Sequence, residues 1–325
     1  MNVIVLTAGL GTRLRPHTYS KPKPLLSVAG KPVLGHIIDT LKPLAIDELI
    51  CVYGYLGSQI ERYLTENYNY KMRFVDQADP KGQAHAIYLC KEYISGPTLI
   101  IFGDGLFGVD LERLNSHPPT GVIYVQEVED PRRFGVAVVE DGLITKLVEK
   151  PETPVSNLAI IGVYYVPDGQ KLIDAIGYCM EQNIQTKGEY YLADALQVMI
   201  ERGERFTTDT VSMWKDAGTV PAVIETHRYL LENGHSRTIA TTNSVIVPPV
   251  HLADGALIEN SVIGPYVSVG AGAVVRDSIV KDSLIYAGAL IEQANLSGSL
   301  IGEKAHISGA SQTLNVGDTS TVQNG

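Results

Sequence analysis

The chain opens Asn2-Val3-Ile4-Val5-Leu6-Thr7-Ala8-Gly9-Leu10-Gly11-Thr12-Arg13-Leu14-Arg15-Pro16. A short apolar run gives way at once to a glycine-rich turn. Such a turn after a strand exposes successive backbone N–H groups, and these form a nest for phosphate. A dinucleotide fingerprint would need a third glycine opening a helix. Leu14 stands in that place, and Pro16 and Pro22 deny the helix, which argues against a nicotinamide cofactor. The Walker pattern is absent too. Proline on both sides holds Ser20-Lys21-Pro22-Lys23-Pro24 extended, so that its lysines can be aimed.

Charge supports this reading. The 325 residues carry a net charge of −10, yet residues 1–38 hold Arg13, Arg15, Lys21, Lys23 and Lys31 and no Asp or Glu. The acidic balance argues against a nucleic-acid partner, and the local basic stretch favours a small anion. With 45% hydrophobic and 19% charged residues, the chain is a globular one, of two domains by length. Val3–Leu6 is too short for a signal-peptide core, and no stretch approaches the ~20 apolar residues of a membrane helix. Cys51, Cys90 and Cys179 are odd in number and lack metal spacing, as expected of a reduced, cytoplasmic protein.

Outward from the opening, two textures follow. Strands are expected at Glu48–Tyr53, Met72–Val75 and Thr98–Phe102, with helices at Leu34–Leu44, Leu56–Thr65 and Gln83–Tyr93 between them. This alternation implies βαβ units and a mostly parallel sheet. Gly121–Val128, Phe134–Val139, Leu143–Glu149 and Ile160–Val166 then come without long helices. Asp141-Gly142 makes a two-residue hairpin turn, so the sheet should be mixed, with an antiparallel extension. Helical patterns return at 168–182, 190–202 and 219–233, and Asn233-Gly234 ends the last.

From residue 243 an apolar residue recurs every five or six positions, from Ile246, Leu252, Ile258 and Ile263 through to Ile301 and Ile307. Hexapeptide repetition is the mark of a parallel β-helix, and twelve repeats give about four coils. An antiparallel sandwich would space its strands more widely. The expected organisation is thus an α/β, Rossmann-like domain with a mixed sheet over 1–234 and a linker at 235–242. A short left-handed parallel β-helix over 243–311 and a loosely held polar tail over 312–325 would follow.

The opening TAGLGTRLRPHTYSKPKPLLSVAGKP resembles the sugar-1-phosphate nucleotidylyltransferases. The match continues in order through Gln77 and Gly82-Gln83-Ala84-His85-Ala86, Phe102-Gly103-Asp104, Phe134-Gly135-Val136, Glu149-Lys150-Pro151, Lys187-Gly188-Glu189 and Trp214-Lys215-Asp216-Ala217-Gly218-Thr219. The β-helix and the closing Leu314-Asn315-Val316-Gly317-Asp318 are similar to the long-form glucose-1-phosphate thymidylyltransferases of that family. The resemblance implies Mg²⁺-dependent transfer of a nucleotidyl group from a nucleoside triphosphate, dTTP or UTP, to a hexose 1-phosphate. Two repelling anions must be aligned and their charge neutralised.

The same resemblance assigns the residues. Ala8, Gly9, Leu10, Gly11 and Thr12 wrap the triphosphate, Arg13 holds the departing phosphates and Lys23 reaches the α-phosphate. Asp104, after the apolar Leu99–Phe102, and Asp216 hold the metal. Gln77 and Gly82 receive the base. Gly135, Glu149, Lys150, Gly162, Lys187 and Glu189 receive the sugar phosphate. His85 is read as structural, and Lys21 and Arg15 as surface residues.

Thr7 and Ala8 replace the family's usual alanine and glycine, which raises the question of strain if Ala8 must adopt a positive φ. Gly105 and Phe134 stand where many relatives have Asn and Tyr. The sequence admits two other readings. One is a bifunctional enzyme with a hexapeptide acyltransferase, for which His251 and His306 would be the bases. About four coils without a long inserted loop is little for that activity. The other is an inactive regulatory subunit, which the presence of Arg13, Lys23, Asp104 and Asp216 disfavours. The β-helix, or the catalytic domain, would serve homo-oligomer assembly.

Overall fold

The computed structural model describes residues 1–309 and 311–323. They form two compact units that do not follow chain order. The first holds Met1–Gly9, Ile37–Gly103 and Phe107–Trp214; the second holds Leu10–His36, Asp104–Leu106 and Lys215–Gly325. The basic opening segment therefore belongs with the C-terminal part of the chain.

The first unit is built on nine strands. These are β1 (Asn2–Leu6), β2 (Glu48–Tyr53), β3 (Met72–Asp76), β4 (Thr98–Phe102), β5 (Gly121–Glu127), β6 (Gly135–Glu140), β7 (Leu143–Glu149), β8 (Leu158–Val166) and β9 (Phe206–Thr210). The main path runs β7-β6-β8-β4-β1-β2-β3, and β5 pairs with β8 and β9. β1 is parallel to β2 and β4, and β3 to β2. β8 runs antiparallel to β4 and β5. The mixed sheet expected from the sequence is therefore present. Asp141 and Gly142, both at positive φ, turn the β6–β7 hairpin.

The helices are α1 (Val33–Thr40), α2 (Gly57–Asn67), α3 (Gln83–Tyr88), α4 (Gly169–Glu181), α5 (Leu192–Glu201) and α6 (Val220–Leu230). Several are shorter than the sequence pattern. After Tyr88 the chain continues in tighter turns, with the N–H of Cys90 bonded to Ile87 and that of Tyr93 to Cys90. Asp168 caps α4 by accepting from the N–H groups of Gln170 and Lys171. Ile4, Ile50, Val52 and Ile100 from the sheet share one core with Ile87 of α3, Leu172 and Ile176 of α4 and Leu192 and Leu196 of α5. Strand β9 was not foreseen: Phe206–Thr210 carries three threonines and an aspartate, and only Phe206 is buried.

The second unit ends in a left-handed parallel β-helix. Among the described residues, three sheets of five strands each make five coils, one more than the repeat count suggests. Leu252, Val269, Ile285, Ile301 and Val316 form one register column, and Ile258, Val275, Ile291, Ile307 and Val322 another. The fifth coil is the segment read as a loose tail. Asn315–Val316 and Thr321–Gln323 pair in register with the coil before them. Its repeat was hidden because Gln312 takes the register position opposite the apolar Leu296. Residues 310, 324 and 325 lie outside the described residues. The segment read as a linker at 235–242 is also tied in, by bridges of Arg237 to His251 and of Thr242 to Glu259.

Two devices hold the corners. Asn243, Asn260 and Asp277 all adopt positive φ and form a ladder, each asparagine amide donating one coil onward at 2.9 and 3.1 Å. Buried Ser261, Ser278, Ser283 and Ser299 each accept a backbone N–H from the next coil and donate to a carbonyl two residues back. Polar groups enter the core there because every one is paired. Asn233 and Gly234 terminate the long helix as expected, with Gly234 at φ 92°.

Candidate active site

The second unit gathers four of the charged residues. The opening loop turns at Gly11, with φ 61° and ψ 32°. A Cβ at Gly11 would lie 3.0 Å from Lys23 Cβ and from Thr18 Cγ2, so both space and backbone call for glycine. Ala8 is not among the positive-φ residues, so its substitution for glycine brings no strain. The Gly11 carbonyl accepts from Thr18 Oγ1 at 2.8 Å and from the N–H of Leu14, which is fully buried. Thr12–Leu14 makes one 3₁₀ turn and presents Arg13 to solvent. Lys23–Leu25 makes another, so the proline-rich stretch is extended at Pro22 and then coiled.

Lys23 is buried, and its Nζ donates to Asp104 Oδ2 at 3.0 Å. The Asp104 carbonyl accepts from the N–H of Ala217 at 3.2 Å, which brings the chain at Asp216 alongside. A Cβ at Gly218 would sit 2.8 Å from Arg13 Nη2 and 2.9 Å from Asp216 Oδ1. One point therefore lies beside a guanidinium and a carboxylate at once. Asp104 and Asp216 are exposed, while Lys23 reaches Asp104 from the protein side. The donor set fits a small hard dication. Such an ion takes one or two carboxylates and completes its shell with phosphate oxygens and water.

In the first unit, Ala8 and Gly9 follow β1, and Gln77 follows β3, at carboxyl ends of parallel strands, where α/β sheets bind ligands. The Gln77 amide nitrogen is 3.0 Å from the Gly82 carbonyl and 3.1 Å from His85 Nδ1. Burial lowers the His85 pKa and so favours the neutral ring, whose Nδ1 accepts from the amide in the tautomer protonated at Nε2. Both amide hydrogens are thus engaged, and Oε1 is the part of the amide left to meet a ligand. Gly82, at φ 108°, has its own reason to be glycine: a Cβ would lie 2.5 Å from the Tyr190 carbonyl oxygen.

The sugar-side residues form a second group in that unit. Glu149 stands opposite Gly135 in the β6–β7 pairing, and a Cβ at Gly135 would lie 2.8 Å from Glu149 Oε2. Burial raises the Glu149 pKa, against the pull of Lys150 at 3.4 Å. Lys150 also donates to the Tyr191 hydroxyl at 2.7 Å. Gly162, at φ 86°, sits in the bulge of β8 where the register with β5 shifts. Lys187 and Gly188, both at positive φ, form a tight hairpin turn closed by reciprocal bonds between Thr186 and Glu189. Glu189 is exposed. Tyr191 is a residue the sequence reading missed, as is Asp194, which accepts from Thr186 Oγ1 at 3.0 Å and so holds that turn. The adjacent Tyr190-Tyr191 after Lys187-Gly188-Glu189 was the available signal. His85, read from the sequence as structural, contacts the Gln77 amide nitrogen through Nδ1. Arg15 is exposed and lies over the Tyr19 ring, whereas Lys21 is half-buried and ion-paired with Glu303.

Residues 2–233 match the Nucleotidyl transferase family model. The chain belongs to that family. It is 33% identical over 260 residues to the bifunctional protein GlmU of Methanocaldococcus jannaschii, a match covering 79% of this chain and 61% of that protein. It is 30% identical over 271 residues to a glucose-1-phosphate thymidylyltransferase of Streptomyces antibioticus, covering 79% of this chain and 74% of that one. Among solved structures, a Bacillus anthracis protein described as a glucose-1-phosphate thymidylyltransferase superposes with a TM-score of 0.61 at 26% identity. That match covers 74% of this chain and 98% of the other. The chain thus spans about three-fifths of the length of the GlmU relative. No helix among the described residues is long and apolar enough to cross a membrane.

Proposed function

We propose that the chain joins dTTP or UTP to a hexose 1-phosphate, glucose 1-phosphate foremost, and releases pyrophosphate. A phosphate oxygen of the sugar attacks the α-phosphorus. A new P–O bond forms as the bond to the β-phosphate oxygen breaks, and pyrophosphate carries away the electron pair. The N–H groups of the loop from Ala8 to Thr12 and the Arg13 guanidinium hold the triphosphate, and Lys23 meets charge developing at the α-phosphate. Asp104 and Asp216 would hold Mg²⁺, which when bound supplies neutralisation of phosphate charge. Glu149 accepts from sugar hydroxyls, and Lys150 and Lys187 hold the 1-phosphate, with Glu189 and the bare backbone at Gly135 and Gly162 shaping the space. Gln77 Oε1, its amide hydrogens already engaged, accepts from an imino N–H, which thymine and uracil carry at N3 and cytosine lacks.

The observation that carries this reading is the Lys23–Asp104 pair beside the Gly11 turn, with Arg13 and Asp216 both approaching Gly218. Pyrophosphate release tests it, with Mg²⁺, glucose 1-phosphate and each of dTTP, UTP, CTP, ATP and GTP. Turnover with dTTP or UTP is expected, with CTP at least about tenfold slower, the scale of one lost hydrogen bond. No release with any nucleotide, even with mannose, galactose or glucosamine 1-phosphate, overturns the reading. We also place the enzyme in the cytoplasm, in keeping with three free, buried cysteines, and as a homo-oligomer that light scattering would detect.

A further inference from the structure

The sequence singles out Leu314-Asn315-Val316-Gly317-Asp318, and the chemistry above leaves it without a task. In the second unit this segment lies in the fifth coil and grips the stretch between Arg13 and Lys23. His17 Nε2 meets Asn315 Oδ1 at 2.7 Å, and Ser20 Oγ donates to Asp318 Oδ2 at 2.5 Å. Asp318 is itself fixed, because its Oδ1 accepts from the N–H of Glu303 at 2.6 Å, and Glu303 pairs with Lys21. A Cβ at Gly317 would lie 2.9 Å from Pro16 Cβ, so the coil approaches that residue closely. His17 is buried, against the Tyr286 ring at 6.0 Å.

The gripped residues connect directly to the phosphate-binding side chains. Thr18, next to His17, donates to the Gly11 carbonyl, around which Arg13 turns. Lys21 is two residues from Lys23, whose Nζ donates to Asp104. Side chains that neutralise a developing charge must be held to fractions of an ångström, and small displacements cost rate more than binding. Three polar contacts from two successive coils onto five residues are more than covering the segment requires.

We propose that Asn315 and Asp318 are positioning residues for nucleotidyl transfer. The last coil of the β-helix clamps His17–Lys21 and thereby sets Arg13 and Lys23. This rests on the transfer activity proposed above. The test uses the full chain with Asn315→Ala, Asp318→Ala and Asn315→Asp. The two alanine variants should lose about tenfold or more in kcat, with KM for the sugar phosphate within about twofold, since a lost transition-state interaction shows in kcat. Asn315→Asp keeps an acceptor for His17 and should recover most of the rate. Hydrogen exchange of the amides at 10–23 should speed up in the alanine variants and not in Asn315→Asp. If kcat stays within about twofold of the parent in both alanine variants, the proposal is wrong; so too if kcat falls only in step with melting temperature. If Asp318→Ala fails to fold, Asn315→Ala carries the test. An inactive parent chain overturns the activity instead, and the exchange measurement then decides the clamp: unchanged exchange refutes it.

Discussion

The β-helix and the residues that carry charge toward phosphate differ in how far apart their partners lie along the chain. In the β-helix each side chain meets the equivalent position of the next coil, as Ile258 meets Val275 and Val275 meets Ile291. At the candidate site Lys23 meets Asp104, 81 residues on, and Asp104 bonds the backbone of Ala217. The first kind of contact is periodic and local, and a stack of such repeats is stabilised by its neighbours. The second exists only once two distant loops are delivered to one place. Outside the fifth coil, where Asn315 and Asp318 reach His17 and Ser20, stability in one region and chemistry in the other should therefore respond to different substitutions.

The largest expected effect is on chemistry alone. Asp104→Asn, and separately Asp216→Asn, should lower kcat by on the order of 10²–10³, the scale for removing a charge aimed at the transition state. The melting temperature should hold, because both carboxylates are exposed and an asparagine at 104 can still accept from Lys23. Full activity in both variants removes the metal assignment. Next, Ile291→Ala, at a fully buried position in the β-helix, should cost about 2–5 kcal/mol in denaturant unfolding. Below the unfolding transition kcat should be nearly unchanged. A rate loss as large as that of Asp104→Asn would mean that the two regions are not separable in this way.

A third prediction concerns pH. His227 is buried, its Nδ1 accepts from the N–H of Ala29, and burial lowers its pKa from 6.5 to about 4. The unfolded chain therefore takes up the proton first as pH falls. The contribution to stability is complete above pH 6.5 and is lost as pH falls toward 4, amounting to roughly 3 kcal/mol. His227→Gln, which can still accept from Ala29, should flatten the stability–pH curve in that window; an unchanged slope would remove His227 as its source. The smallest effect is on the sugar side. Tyr191→Phe deletes the hydroxyl that holds Lys150 and should raise KM for the hexose 1-phosphate by several-fold, about 1 kcal/mol, with kcat little changed. A pure kcat effect would place Lys150 on the transferring phosphate instead.

The sequence by itself determined the regular parts. Alternation gave β1, β2 and β4 nearly to the residue, because buried strands of a parallel sheet read as apolar runs and the helices between them as amphipathic ones. The hexapeptide spacing gave the β-helix, because every coil repeats the same demand for an apolar residue facing inward. Two segments were missed where that demand relaxed. Gln312 broke the pattern and hid the fifth coil, and the polar Phe206–Thr210 hid β9. Candidate site residues were legible only as an ordered series of motifs similar to a known family. Tertiary structure alone decided which of them meet. Lys23 joins Asp104, and Arg13 and Asp216 share Gly218. Gln77 spends its amide hydrogens on Gly82 and His85, and Tyr191 holds Lys150. The physical reason is that a side chain's protonation, orientation and remaining hydrogen-bonding capacity depend on its neighbours in space. Neighbours brought together from different elements, such as Lys150 with Tyr191 or Lys23 with Asp104, leave no period in the sequence.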